Sequence, residues 1–251
     1  MSMEAKFCVL SASGINCDNE SARLVREAGG EAEMVHVTQL ESGERMLRSY
    51  QGLFLPGGFS DGDAGRAGIT LATRLREGLG DDIRTFAEAG KPVLGVCNGF
   101  QVLVNLGMLP GEGKTWEQTA SLTKNVSGKF ESRTAGLRVN KGARSPFVPP
   151  ELDPLIELPI ANGEGSFVAS EERLAALLRN GQVLLRYARE DGWPSMDPVY
   201  NPSGARYAIA AISNKAGNVM GSMPHIERDP LNHQSPGHII MGSIVRFAAS
   251  L

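Results

Sequence analysis

Val93-Leu94-Gly95-Val96-Cys97-Asn98-Gly99-Phe100-Gln101 runs an apolar strand into Gly-x-Cys-x-Gly and out along a helix, which Leu103, Leu106 and a Gly107 stop continue. Glycines two before and two after the cysteine remove the Cβ atoms that would clash where a strand turns sharply into a helix. The central side chain is thereby held up and exposed, the nucleophile-elbow pattern with cysteine in the serine position. The N–H groups of the following helix stand behind the sulfur, a setting that favours a thiolate. A buried core cysteine at a strand end is the competing reading. Both glycines, the preceding strand and the following helix agree on the nucleophile.

Outward from this elbow, Phe7 to Leu10, Ala32 to Val37, Gly52 to Leu55 and Val93 to Val96 are short enough for buried strands. Asn19 to Ala28, closed by Gly29-Gly30, and Ile83 to Ala89, closed by Gly90 before Pro92, stop as helices do. The alternation predicts an α/β fold, a doubly wound and mostly parallel sheet with helices on both faces. Its connections are expected to be right-handed and its ligand site to lie beyond the carboxyl ends of the strands.

From Gly111 to about Asn162 the sequence turns polar and β-prone, with Lys129 to Asn140 as a candidate hairpin and five prolines breaking the rest. We read this stretch as an antiparallel β region appended to a single domain spanning 1–251. Ser170 caps a helix through Arg179, with Glu171 and Glu172 in its first turn. Ala208 to Ser213 and Val219 to Met223 flank a hairpin loop, Asn214 to Asn218. Ile240, Ile244, Phe247 and Leu251 share one helical face, so the chain is expected to end docked on its own core.

The 251 residues are 41% apolar and 21% charged, enough for a core burying roughly 70–75% of the unfolded surface, which rules out disorder. A net charge of −3 without long runs of like charge speaks against nucleic acid or an anionic membrane as partner. Met1-Ser2-Met3 leads into no signal-peptide core, no stretch approaches 18 uninterrupted apolar residues, and three cysteines make no disulfide framework. The expected setting is cytoplasmic, with reduced thiols. Cys8 inside an apolar strand and Cys17 in a polar loop lack flanking glycines and read as structural.

A thiolate nucleophile needs a base, and four histidines are available: His36, His225, His233 and His238. His225 follows a strand in Met223-Pro224-His225-Ile226-Glu227-Arg228, and on extended backbone residues i and i+2 point to one side, so Glu227 can orient the imidazole. A solvated surface histidine beside a glutamate is the bland alternative. His225, Glu227, Asp229 and His233 lack a recognised metal-ligand spacing, so no metal is expected. Leu53-Phe54-Leu55-Pro56-Gly57-Gly58-Phe59 ends a strand in paired glycines, whose amides approach a ligand closely. Gly58 N–H and Asn98 N–H are the candidate oxyanion donors. The Gly57-Gly58 peptide is expected to rotate with little steric resistance, which makes it a control point.

With these pieces assembled, the chain resembles the class I (triad) glutamine amidotransferases, and among them the small glutaminase subunits of phosphoribosylformylglycinamidine synthases in purine biosynthesis. The resembling segments are Gly14-Ile15-Asn16-Cys17-Asp18, Pro56 to Asp63, Gly95 to Gln101, Pro159 to Gly165 and Met223 to Arg228. The resemblance implies that L-glutamine is hydrolysed at a Cys97–His225–Glu227 triad. It also implies partners: a large ATP-dependent synthetase subunit that receives the ammonia, and a small third subunit. ATP and Mg²⁺ would be used by the synthetase, with no cofactor in this chain. Gln101 and Gly57 would hold the glutamine, and Gly165 to Phe167 would form the pocket rim. Two positions depart: Asn162 stands where the family often has histidine, and Ile226 where it often has proline. The second is expected to leave the His225–Glu227 geometry less rigid. Two enzyme alternatives are a glutaminase subunit of another amidotransferase and a cysteine peptidase-like hydrolase on the same fold. The latter usually carries histidine where Asn98 stands. A third reading is a non-catalytic regulatory subunit.

Overall fold

A computed structural model of the protein describes residues 4–63, 66–111, 117–229 and 234–251. Residues 1–3, residues 112–116 of the β-prone stretch and His233 lie outside the described residues. Strand β1 (Lys6–Ser11) leads through α1 (Asp18–Glu27) to β2 (Glu31–His36) and the short α2 (Val37–Glu41). Strand β3 (Gly52–Leu55), α3 (Ile69–Glu88), β4 (Val93–Val96) and α4 (Asn98–Asn105) follow. Then come β5 (Ala120–Thr123), β6 (Glu131–Val139), β7 (Leu155–Asn162), β8 (Ser166–Ala169) and α5 (Glu171–Arg179). The chain closes with β9 (Val183–Tyr187), β10 (Ile209–Ser213), β11 (Val219–Ser222) and α6 (Pro236–Ala249).

Nine strands form one sheet in the order β2-β1-β3-β4-β11-β10-β9-β6-β7, and β5 pairs with β8 separately. From β2 to β11 all neighbours are parallel. The unbroken apolar runs of β3 and β4, buried at every residue, suit strands covered on both faces. Helix α1 packs with α6 and α3 with α4. The chain steps from β1 to β2 on one side and returns to β3 on the other, a reversal that opens a crevice beyond the strands' carboxyl ends. From β11 to β7 the pairing is antiparallel, so β6 and β7 extend the main sheet.

Three local expectations change. The hairpin expected at Lys129 to Asn140 is a single nine-residue strand, β6, paired with β7. Within it, Gly136 admits close approach of neighbouring backbone: a Cβ there would lie 3.0 Å from the Ala188 carbonyl oxygen. Helix α3 begins at Ile69 rather than near Ile83, because Leu71, Leu75, Leu79, Ile83 and Phe86 form a buried stripe that runs through Gly78, Gly80 and Asp81-Asp82. Ser170 does cap α5, its Oγ accepting from the Arg173 N–H. On α6, Ile240 and Ile244 are fully buried, whereas Leu251 lies past the helix end and is 61% exposed.

That contrast yields a stability test. Ile244→Ala leaves a cavity under α6 and is expected to lower the unfolding free energy by about 2–4 kcal/mol. Leu251→Ala is expected to change it by less than about 0.5 kcal/mol. Urea denaturation of both variants checks the docking.

Candidate active site

Cys97 sits between β4 and α4 with φ 51° and ψ −106°, a left-handed φ that a non-glycine residue adopts only under strain of about 1–3 kcal/mol. The flanking glycines make this turn sterically possible. A Cβ on Gly95 would lie 2.6 Å from the Gly99 carbonyl oxygen, and one on Gly99 would lie 2.0 Å from that of Leu55. The Cys97 N–H donates to the Ser222 carbonyl at 2.7 Å, tying the elbow to the end of β11. Its thiol reaches the Ala161 carbonyl at 3.5 Å.

His225 follows β11 and is held by its N–H to the Pro159 carbonyl at 2.8 Å. The ring is buried, and its Nδ1 lies 2.6 Å from Oε1 of the fully buried Glu227. The i, i+2 contact expected from an extended segment is made differently: Glu227 stands in a single 3₁₀ turn, Ile226–Arg228, entered from extended backbone at His225. Nε2 of His225 and Oε2 of Glu227 are buried with no hydrogen-bond partner. Burial disfavours the imidazolium, but the Glu227 carboxylate and the adjoining Cys17 and Cys97 thiols outweigh it, so the His225 pKa stands well above its ordinary value.

Gly58 joins Cys97 and Gln101 in lining a cavity of about 340 Å³, together with Asn162, Glu164 and Phe130. Asn98 opens α4, which puts its backbone amide at the helix N-terminus. The Gly57 carbonyl accepts from the N–H groups of Asn16 at 3.3 Å and Cys17 at 3.2 Å, and a Cβ on Gly58 would lie 2.7 Å from the Gly14 carbonyl oxygen. The free rotation expected for this peptide is therefore restrained by the Gly14–Cys17 segment. Gln101 Nε2 donates to the Glu164 carbonyl at 2.7 Å, which fastens α4 to the loop after β7.

The residues expected at the rim lie elsewhere. Phe167 is fully buried and stacks on Phe100 with ring centroids 6.1 Å apart. Gly165 lies beneath Asn162, where a Cβ would come within 2.3 Å of Oδ1. Neither lines the cavity. Asn162 does: its Oδ1 and Nδ2 are buried and have no hydrogen-bond partner. Sequence reasoning flagged Asn162 only as a departure and took Cys17 for a structural residue. Cys17 Sγ in fact lies within 4.8 Å of a His225 ring nitrogen and a Glu227 carboxylate oxygen. Cys8 behaves as read, its thiol pushed up to about 12 by burial.

Residues 4–238 match the family model of the CobB/CobQ-like glutamine amidotransferase domain. The phosphoribosylformylglycinamidine synthase subunit PurQ of Methanococcus maripaludis is 35% identical, with 96% of this chain and 88% of that protein covered. The subunit PurQ of Archaeoglobus fulgidus is 37% identical, with 99% and 98% covered. A chain in the structure of PurLQS from Thermotoga maritima superposes with a TM-score of 0.76 at 30% identity, covering 98% of this chain and 99% of that one. The chain belongs to the PurQ family of glutamine amidotransferase subunits. The two PurQ subunits named above match it over 96% and 99% of its length, so the family likeness takes in the elbow, the β6–β7 extension and the segment after β11 alike. No helix among the described residues is long and apolar enough to cross a membrane.

The raised His225 pKa fixes the sign of a pH effect. A folded-state value above the unfolded one contributes stability that is fully present below the ordinary imidazole pKa near 6.5 and is lost as pH rises through the folded value. Glu227→Gln removes the main raising charge. The His225 ring is then expected to titrate at lower pH by NMR, and the stability decline with rising pH to become shallower. Unchanged titration would mean that another group holds the imidazolium.

Proposed function

We propose that this chain hydrolyses L-glutamine to glutamate and ammonia at Cys97, His225 and Glu227. The ammonia passes to a large ATP-dependent synthetase subunit, assembled with a small third subunit, that makes phosphoribosylformylglycinamidine in purine biosynthesis. The observation that carries the reading is the buried His225–Glu227 pair. It occupies Nδ1 and leaves Nε2 facing the thiols beside an elbow cysteine that opens into a cavity. ATP and Mg²⁺ belong to the synthetase in this reading, this chain carries no cofactor, and the complex works in the cytoplasm.

In the mechanism, Cys97 Sγ attacks the side-chain amide carbon of glutamine, and the C–O π electrons move to the oxygen. Gly58 N–H and Asn98 N–H stabilise that oxyanion, an interaction that counts mainly in the transition state. His225 takes the thiol proton and returns it through Nε2 to the departing nitrogen, which leaves as ammonia. A water, deprotonated by His225, then attacks the thioester carbon; the C–S bond breaks and glutamate is released. Glu227 holds the ring orientation and balances the imidazolium charge. Asn162, with both amide atoms unspent at the cavity wall, suits the charged amino-acid end of glutamine.

Cys97→Ala is expected to abolish glutamine-dependent synthesis by the reconstituted complex while sparing synthesis from added ammonia, because the thiol serves only to release the amide nitrogen. Loss of both activities from an intact complex would refute this division of labour. Asn162→Ala is expected to raise KM for glutamine on the order of tenfold, the worth of one hydrogen bond to a charged group, with a smaller change in kcat. Steady-state glutaminase kinetics in the complex measure both parameters.

A further inference from the structure

Arg138 on β6 and Arg186 on β9 stand directly opposite each other in the antiparallel register, so both side chains rise from one face of the sheet. Like charges placed this way destabilise the strand pair. Burial and the facing Arg138 charge hold the half-buried Arg186 below its ordinary range. Both arginines line a cavity of about 500 Å³ that shares no residue with the cavity holding Cys97. Lys141 adds a third positive charge to its wall, and among the described residues no aspartate or glutamate lines it. In a chain of net charge −3, this is a local cationic excess that the fold leaves unbalanced.

The three cations are fixed in place with donors to spare. Arg138 Nη1 donates to the Gly192 carbonyl at 3.2 Å, and Arg186 Nε donates to the Tyr207 carbonyl at 2.8 Å. A guanidinium carries N–H groups on all three nitrogens, so Arg138 keeps Nε and Nη2, and Arg186 keeps both Nη groups, for a ligand. Lys141 Nζ spends its donors on the carbonyls of Pro149, Pro150 and Leu152, at 3.2, 2.8 and 2.6 Å, and supplies charge alone. Asn140 pins the turn that carries it: its Nδ2 donates to the Val183 carbonyl at 2.9 Å, and its Oδ1 accepts from the Gly142 N–H at 3.1 Å. We propose that Arg138 and Arg186 form a binding site for a phosphoryl group, either inorganic phosphate or the phosphate of a monoester. A carboxylate brings a single charge and satisfies one guanidinium fork. A phosphoryl group brings roughly −1.5 to −2 charge and three acceptor oxygens, which two guanidiniums beside a fixed ammonium match. Trp193 lines the same cavity and is 66% exposed, so its ring is open to the organic part of a monoester.

The site stands apart from the glutamine reading, and its test needs neither glutaminase activity nor a partner subunit. The full chain is titrated at fixed ionic strength with inorganic phosphate, methyl phosphate and AMP, and binding is read from the phosphorus NMR resonance. One phosphoryl group per chain is expected; sulfate should displace it, and acetate at equal ionic strength should not. Arg138→Gln, at an exposed position, should weaken binding at least about tenfold, the worth of one hydrogen bond between charged groups. Tighter binding of AMP than of methyl phosphate, lost in Trp193→Ala, assigns the site to a nucleotide; equal binding of all three assigns it to the phosphoryl group alone. Equal affinity in a folded Arg138→Gln protein overturns the site, as does displacement by acetate as effective as that by sulfate. If that variant does not fold, the wild-type titration decides: a chain that binds none of the three phosphates carries no such site.

Discussion

Helix α4 lies so close to strand β3 that no atom larger than hydrogen fits on the Gly99 α-carbon, and this contact fixes where everything catalytic stands. A Cβ at Gly99 would overlap the Leu55 carbonyl, and one at Gly221 would lie 1.9 Å from the Phe100 ring. The helix is thus seated against the ends of β3, β4 and β11 at once. Parallel register sets Leu55 opposite Gly95 and Ser222 opposite Val96, so the three strands end at one level. Gly57, Cys97 and His225 follow those ends within a few residues. Alignment of the proposed nucleophile, base and oxyanion loop is a property of the sheet, and the strain at Cys97 is sustained by packing around the elbow.

Burying His225 and Glu227 together is expensive in solvation, and such a pair is weak evidence for stability. Its value is positional. Ile226, where the family often has proline, was expected to loosen the geometry, but the turn is braced from another direction. Ile226 is fully buried, and a Cβ on Gly237 would come within 2.1 Å of its carbonyl oxygen, so the first turn of α6 rests on the His225–Glu227 turn. The Gly237 N–H donates to Asp229 Oδ2 at 2.9 Å and locks the same junction. Tertiary packing of α6 supplies the rigidity that a proline ring would give locally.

What could be read from the sequence follows the range of the interactions concerned. The elbow, the four parallel strands around it and the Asn214–Asn218 hairpin loop are written in adjacent residues, and the structure shows those elements within a residue or two of the expected bounds. Helix α3 was half missed because two glycines and two aspartates mask a stripe that only a surrounding core makes decisive. The hairpin expected over Lys129 to Asn140 is one strand because its partner, β7, lies beyond the proline-rich stretch and cannot be read from adjacent residues. The family resemblance implied a rim position for Phe167, yet on β8 it points inward and stacks on Phe100. Cys17 lies in a segment that carries the family resemblance, but nothing beside it marks its contacts: the guanidinium that meets it is 211 positions away.

The loop that carries Cys17 also constrains the Gly57-Gly58 peptide, the proposed oxyanion loop. The Gly57 carbonyl and the Gly58 N–H belong to one planar unit, so turning one turns the other. Because Asn16 and Cys17 N–H groups both hold that carbonyl, and the Phe59 N–H holds the Gly14 carbonyl at 2.8 Å, the donor direction of Gly58 is set by the segment after β1. Reorienting the donor requires at least two backbone hydrogen bonds to break, each worth about 1 kcal/mol net and more while unpaired in a buried setting. Glycine at both positions lowers the torsional barrier without removing that energy. Any control of the Gly58 N–H direction must therefore act through the Gly14–Cys17 segment, whose thiol lies beside His225, so the orientation of the proposed oxyanion donor and the environment of the proposed base are mechanically one feature.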